Sequence, residues 1–323
     1  MRRILLAVYH SPLIRWAFIV LAVGLAAVAI FTNRHQLGTA LQQMAASAAV
    51  TASIATVVFA FCTFMAWRTL LADLGSRLPL HASFGIFGTS QLGKYIPGGV
   101  WNVIAGAEIG KTYRVPPKRT AISMILALLI TLVTGGLVGA LTLPFMAVAD
   151  LATWAWTVPL CLLFLIMLLP PVMNRLIALI LRITRREPLG QELHWRGLGL
   201  SVLWTVLAWL SVGFQVWLLG YGLGVHATSR SLALSIGGYA LAWVIGLLVV
   251  FAPAGAGVRD TVLLIALRST APHATVLLIV LASRVLLTVV DLLAAAGAAI
   301  VLSRMRLRNR NSSALLPPPS PSE

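Results

Sequence analysis

Long stretches without a charged residue alternate along this chain with short segments crowded by arginine. The charge-free runs occupy 35–67, 120–149, 151–174, 197–229 and 231–258. A helix rises about 1.5 Å per residue and the hydrocarbon core of a bilayer is about 30 Å thick, so about 20 apolar residues suffice to cross it. The pattern predicts spans at about 14–32, 43–67, 120–147, 151–173, 197–221 and 272–302.

Two regions interrupt this pattern. Residues 82–93 and 98–110 are apolar pieces separated by Lys94-Tyr95-Ile96-Pro97-Gly98-Gly99. As helices each reaches only about 18 Å, too short to cross. Later, a run near 231–251 meets Pro253-Ala254-Gly255-Ala256-Gly257-Val258-Arg259-Asp260, and a short piece follows at 261–268. Proline removes a backbone donor and glycine admits unusual dihedrals. Backbone opened in this way is tolerated at membrane depth only inside protein or against a water-filled cavity. The breaks at about 82–110 and 231–268 therefore read as re-entrant hairpins, with a proline-kinked ordinary span as the plainer alternative.

Composition narrows the class. Of the 323 residues 59% are hydrophobic and 10% charged, against about 25% charged in soluble domains, and the mean hydropathy is +0.95. Too little polar surface exists to cover a water-soluble particle. The fold class expected is an all-α polytopic membrane protein. Residues 1–305 form one multi-pass helical bundle, and 306–323 a disordered basic, Pro/Ser-rich tail. The start, Met1-Arg2-Arg3 before an apolar run, reads as a signal anchor.

The net charge of +16 would suggest nucleic acid in a soluble protein. Here the basic residues sit between apolar runs, as cytoplasmic loops require. Eighteen of them fall at 2, 3, 15, 68, 77, 111, 114, 118, 119, 175, 182, 185, 186, 196, 304, 306, 308 and 310. All eighteen become cytoplasmic if 82–110 enters and leaves from inside while 231–268 does so from outside. Only Arg34, Arg230 and Arg268 are then external. Both termini are then cytoplasmic, and two hairpins of opposite orientation are the mark of an inverted repeat.

Six charges lie in apolar surroundings: Lys94, Arg259, Arg284, Glu108, Asp260 and Asp291. An ionised group there costs about 2.5–3.5 kcal/mol even on a lenient insertion scale, so each needs a partner or water. Arg284 and Asp291, seven apart, share a helix face and read equally as an internal ion pair or as part of a polar path. Lys94 and Arg259 stand at glycine-rich broken backbone, where helix N-termini attract anions. Arginine adds a planar two-donor fork suited to phosphate.

Other features are less specific. Gly106-x-x-x-Gly110, Gly135-x-x-x-Gly139 and Gly220-x-x-x-Gly224 permit close helix packing. The Trp residues serve as interface anchors or packing. Cys62 and Cys161 imply no disulfide, the scattered His residues show no metal spacing, and no metal or cofactor is expected. Asp150 stands alone where a membrane glycosyltransferase would need an external acidic pair.

At the two breaks the sequence resembles a known family. Ser90-Gln91-Leu92-Gly93-Lys94-Tyr95-Ile96-Pro97-Gly98-Gly99-Val100-Trp101 and Pro253-Ala254-Gly255-Ala256-Gly257-Val258-Arg259-Asp260 are similar to the two signatures of the membrane (flippase) domain of lysylphosphatidylglycerol synthases. The first is closer to that family's stand-alone, largely actinobacterial branch. The second usually reads Pro-Gly-Gly-x-Gly-x-Arg-Glu; Ala254 and Asp260 depart from it, with the acidic class kept. The resemblance implies an inverted-repeat bundle with re-entrant helices that moves lipid between leaflets. The synthases add an aminoacyl-transfer domain, and with the chain ending at Glu323 no synthesis is expected.

The expected function is therefore lipid translocation in a bacterial plasma membrane, of an anionic phospholipid or a polyprenyl-phosphate-linked lipid. Arg259, Lys94, Gly98, Gly99, Gly255 and Gly257 would bind the headgroup, and Asp260, Glu108, Arg284 and Asp291 would line or gate the path. Rival expectations are a transferase acting on polyprenyl-phosphate lipids, a non-transporting partner of an envelope-lipid enzyme, and a carrier of a small soluble anion. A second copy of the chain is a further partner considered.

Overall fold

A computed structural model describes residues 45–95, 100–146, 151–183, 192–249 and 257–314. The expected span at 14–32, together with Gly98, Gly99 and Gly255, lies outside the described residues. Every regular element among the described residues is helical: α1 Ala46–Asp73, α2 Leu80–Ser90, a 3₁₀ turn Gln91–Tyr95, α3 Trp101–Thr112, α4 Pro117–Met146, α5 Leu151–Met167, α6 Pro170–Ile183, α7 Trp195–Gly222, α8 Ser229–Leu248, α9 Val258–Leu267 and α10 His273–Ala314.

Five of these helices, α1, α4, α7, α8 and α10, are long and apolar enough to cross a membrane. Their most apolar windows are no more than half covered by protein, with 33% buried in α1 and 22% in α10. Faces of this kind, with Val50, Ile54 and Leu293 more than half exposed, suit hydrocarbon rather than water. The protein is an all-α, multi-pass membrane protein.

Side-chain contacts order the helix ends. At one end of the bundle Arg119 donates from Nη1 to the Gly75 carbonyl (3.0 Å) and to Ser76 Oγ (2.9 Å). There the His194 amide also donates to Asp73 Oδ2 (2.8 Å). The end of α1 and the starts of α4 and α7 therefore lie together. At the other end Arg230 Nε donates to the Phe145 carbonyl (3.2 Å), joining the end of α4 to the start of α8. Indole N–H groups join helices between these levels: Trp67 donates to Ser123 Oγ (3.0 Å) and Trp209 to Thr134 Oγ1 (3.1 Å). Buried tryptophan needs such acceptors.

Glycines set the closest packing. Gly106 and Gly110 of α3 face Met124 and Thr120 of α4, while Gly135 and Gly139 of α4 face Trp209 and Leu241. The third small-residue pair behaves differently. Gly224 has φ +85° with open space around it, so it ends α7 rather than packing a helix.

Three expectations are corrected. The predicted span at 151–173 breaks after Met167, and α5 meets α6 at a 69° bend. Pro170 and Pro171 lack the donors that would continue the helix, yet suit the first positions of a new one. The segment after 173, expected as a loop, is helical to Ile183. Met173, Ile177 and Leu181, four apart, bury one face against Leu70, Ile122 and Leu193. At the C-terminus α10 continues through Ala314, so the tail expected from 306 begins as helix. No proline or glycine interrupts 298–316, and arginine is a good helix former.

Candidate functional site

The two broken regions meet α10 at different heights. In the first, α2 and α3 are 11 and 12 residues long, neither long enough to cross. Gly93 in the turn between them touches α3: a Cβ there would collide with the backbone of Trp101 and Asn102. Gly93→Ala should therefore cost about 1–3 kcal/mol by overpacking. Gly199→Ala, where nothing lies within 4 Å, should be neutral or stabilising. Thermal unfolding in detergent reads both.

That turn presents Lys94 and Tyr95. Lys94 Nζ lies 2.7 Å from Asp291 Oδ2 on α10, and the Tyr95 hydroxyl donates to the same oxygen at 2.7 Å. Lys94 is 34% exposed and Asp291 18%, so water screens this pair only in part.

The second region combines α8, 20 residues long, with α9 of ten. Gly257, at φ +82°, turns the chain into α9 in a conformation that favours glycine. Asp260 accepts from the Gly257 amide (3.1 Å) and is ion-paired to Arg284 of α10. One carboxylate thus caps a helix start and compensates a partly buried cation.

Arg259 points elsewhere. Its guanidinium lies over the Tyr239 ring of α8, 4.8 Å from the centroid, and Tyr239 is fully buried. Among the described residues Arg259 has no carboxylate within ion-pair distance. An aromatic face attracts a guanidinium, whose five N–H donors are more than one neighbouring hydroxyl takes up.

The candidate residues from the sequence separate accordingly. Lys94, Asp291, Arg284, Asp260 and Arg259 come together around α10, with Gly257 at the turn. Arg284 and Asp291 do not pair with each other: seven residues of helix put them about 10.5 Å apart, and each is taken by a different broken region. Glu108 is not part of the cluster. It pairs with Lys111 one turn along α3 at 2.6 Å, both well exposed, because that spacing brings the two together at the end of the helix. Tyr95, Tyr239, Gln215 and Ser283 were not singled out by sequence. Ser283 donates to Gln215 Oε1 (3.0 Å) in the core, and Gln215 Nε2 is buried without a partner among the described residues. A lone glutamine or tyrosine inside an apolar run was the available signal.

The fold and site define a polytopic α-helical membrane protein with an ion-paired polar centre at its helix breaks. The chain belongs to the family described as the lysylphosphatidylglycerol synthase transmembrane region, whose sequence model matches residues 15–295. No curated protein matches it.

Proposed function

We propose that this protein moves a lipid with an anionic headgroup between the leaflets of a bacterial plasma membrane. The observation that carries the reading is Arg259: a partly buried guanidinium over the Tyr239 ring, lacking a carboxylate partner among the described residues. An unpaired cation at that depth calls for an anion, and family membership makes a lipid the natural source. Lys94–Asp291 and Arg284–Asp260 tie the two broken regions to α10. Exchange of these ties would pass a headgroup through the centre.

We further propose that 82–110 and 231–268 are re-entrant and related by an inverted repeat, with both termini cytoplasmic. The contact of Arg119 with Gly75 and Ser76 supports this for the first region, because the chain leaves α1 and enters α4 at the same end. Single cysteines at the exposed positions Thr112, His226 and Ser269, in a chain lacking Cys62 and Cys161, test the arrangement. Impermeant reagent applied outside should label 226 and 269 and spare 112. Strong labelling at 112 would reverse the orientation. The function itself is tested by dithionite bleaching of a fluorescent anionic lipid in proteoliposomes. Inner-leaflet probe should become accessible only in vesicles containing the protein. Bleaching confined to the outer leaflet in both would refute translocation.

A further inference from the structure

Resting on the headgroup reading above, we infer from the charges gathered at the helix breaks that the site selects a singly charged phosphodiester headgroup over a phosphomonoester. The groups are Lys94, Arg259 and Arg284 on one side and Asp260 and Asp291 on the other. Two cations are already spent, Lys94 on Asp291 and Arg284 on Asp260. Tyr95 and Tyr239 contribute neutral hydroxyls. The segments 96–99 and 250–256 carry no charged residue, so neither alters the balance. Among the described residues one positive charge remains in surplus there, on Arg259.

A phosphodiester carries one negative charge shared by two free oxygens. One guanidinium fork matches both its charge and its geometry. A phosphomonoester carries about −1.5 to −2 at pH 7, with a second pKa of about 6. It would bring excess negative charge into a half-buried centre, or take Lys94 or Arg284 from its carboxylate and leave that acid unpaired. Acidification removes the difference, because below the second pKa the monoester also carries a single charge.

The full-length protein in nanodiscs tests this by lipid retention in native mass spectrometry, with phosphatidylglycerol as the diester probe and phosphatidic acid of the same acyl chains as the monoester. At pH 7.5 the diester should be retained about tenfold better, and the ratio should approach one at pH 5. Asp260→Asn and Asp291→Asn, on different elements, each raise the surplus by one charge. Both should move the pH 7.5 ratio toward the monoester. A ratio near one at pH 7.5, or a ratio that both variants leave unchanged, overturns the charge selection. Competition separates a lipid from a soluble source. Dimethyl phosphate displacing the lipid where inorganic phosphate does not supports the same selection, and displacement by inorganic phosphate at pH 7.5 overturns it. The readings also fail separately. Diester preference in a protein that moves no lipid leaves this inference standing and removes translocation. Retention of neither lipid removes the headgroup site itself.

Discussion

Asp291→Asn should lower the stability of the folded bundle by roughly 1–3 kcal/mol. That is less than the ~3–5 kcal/mol of a fully buried broken pair, because the Lys94 side chain is 34% exposed. The loss comes from stranding the Lys94 ammonium in apolar surroundings. The Tyr95 hydroxyl keeps an acceptor in the asparagine oxygen and should contribute little. Lys94→Met should cost a similar amount by stranding Asp291. The double variant leaves no unpaired charge and should recover most of the loss, which is the non-additivity expected of contacting residues. Thermal unfolding of the four proteins in one detergent measures this cycle. Additive losses would mean that the 2.7 Å contact couples the first broken region to α10 only weakly.

Arg259→Ala should reduce retention of an anionic lipid about 10–100-fold, the equivalent of ~1.5–3 kcal/mol for hydrogen bonding to a charged group. Arg259→Lys should fall between, since a compact ammonium keeps the charge and loses the planar fork. Folding should be less affected than by Asp260→Asn. Asp260 caps α9 and holds Arg284, whereas Arg259 rests on an aromatic ring. Native mass spectrometry of retained lipid, read beside thermal unfolding, separates the two effects. Loss of stability matching the loss of lipid would make Arg259 a packing residue.

The spans were readable because a helix in hydrocarbon cannot carry charge at most positions, so charge-free runs mark them directly. The breaks were readable for a related reason: proline and glycine change backbone chemistry whatever surrounds them. Partners were not. Tyr95 and Asp291 are 196 residues apart in sequence, with Lys94 one residue further from Asp291, and no local rule joins them. Arg284 and Asp291 misled through their spacing, because a shared helix face says nothing about which neighbour claims each charge. The α6 helix was hidden by Arg175 and Arg182, which resemble loop residues until Met173, Ile177 and Leu181 are seen to share the buried face. Glu108 looked embedded because its neighbours in sequence are apolar, yet it lies near the end of α3, where Lys111 compensates it.

The account turns on a headgroup entering the bundle at Arg259. A phospholipid carrying a photoreactive group next to its phosphate, illuminated with the wild-type protein in proteoliposomes and mapped by peptide mass spectrometry, tests that entry directly. Label should concentrate on the α8 segment containing Tyr239, on the start of α9 and on the 3₁₀ turn at Lys94 and Tyr95, and excess unlabelled anionic lipid should suppress it. Label confined to the outward faces of α1 and α5, with none at these three segments, would contradict it.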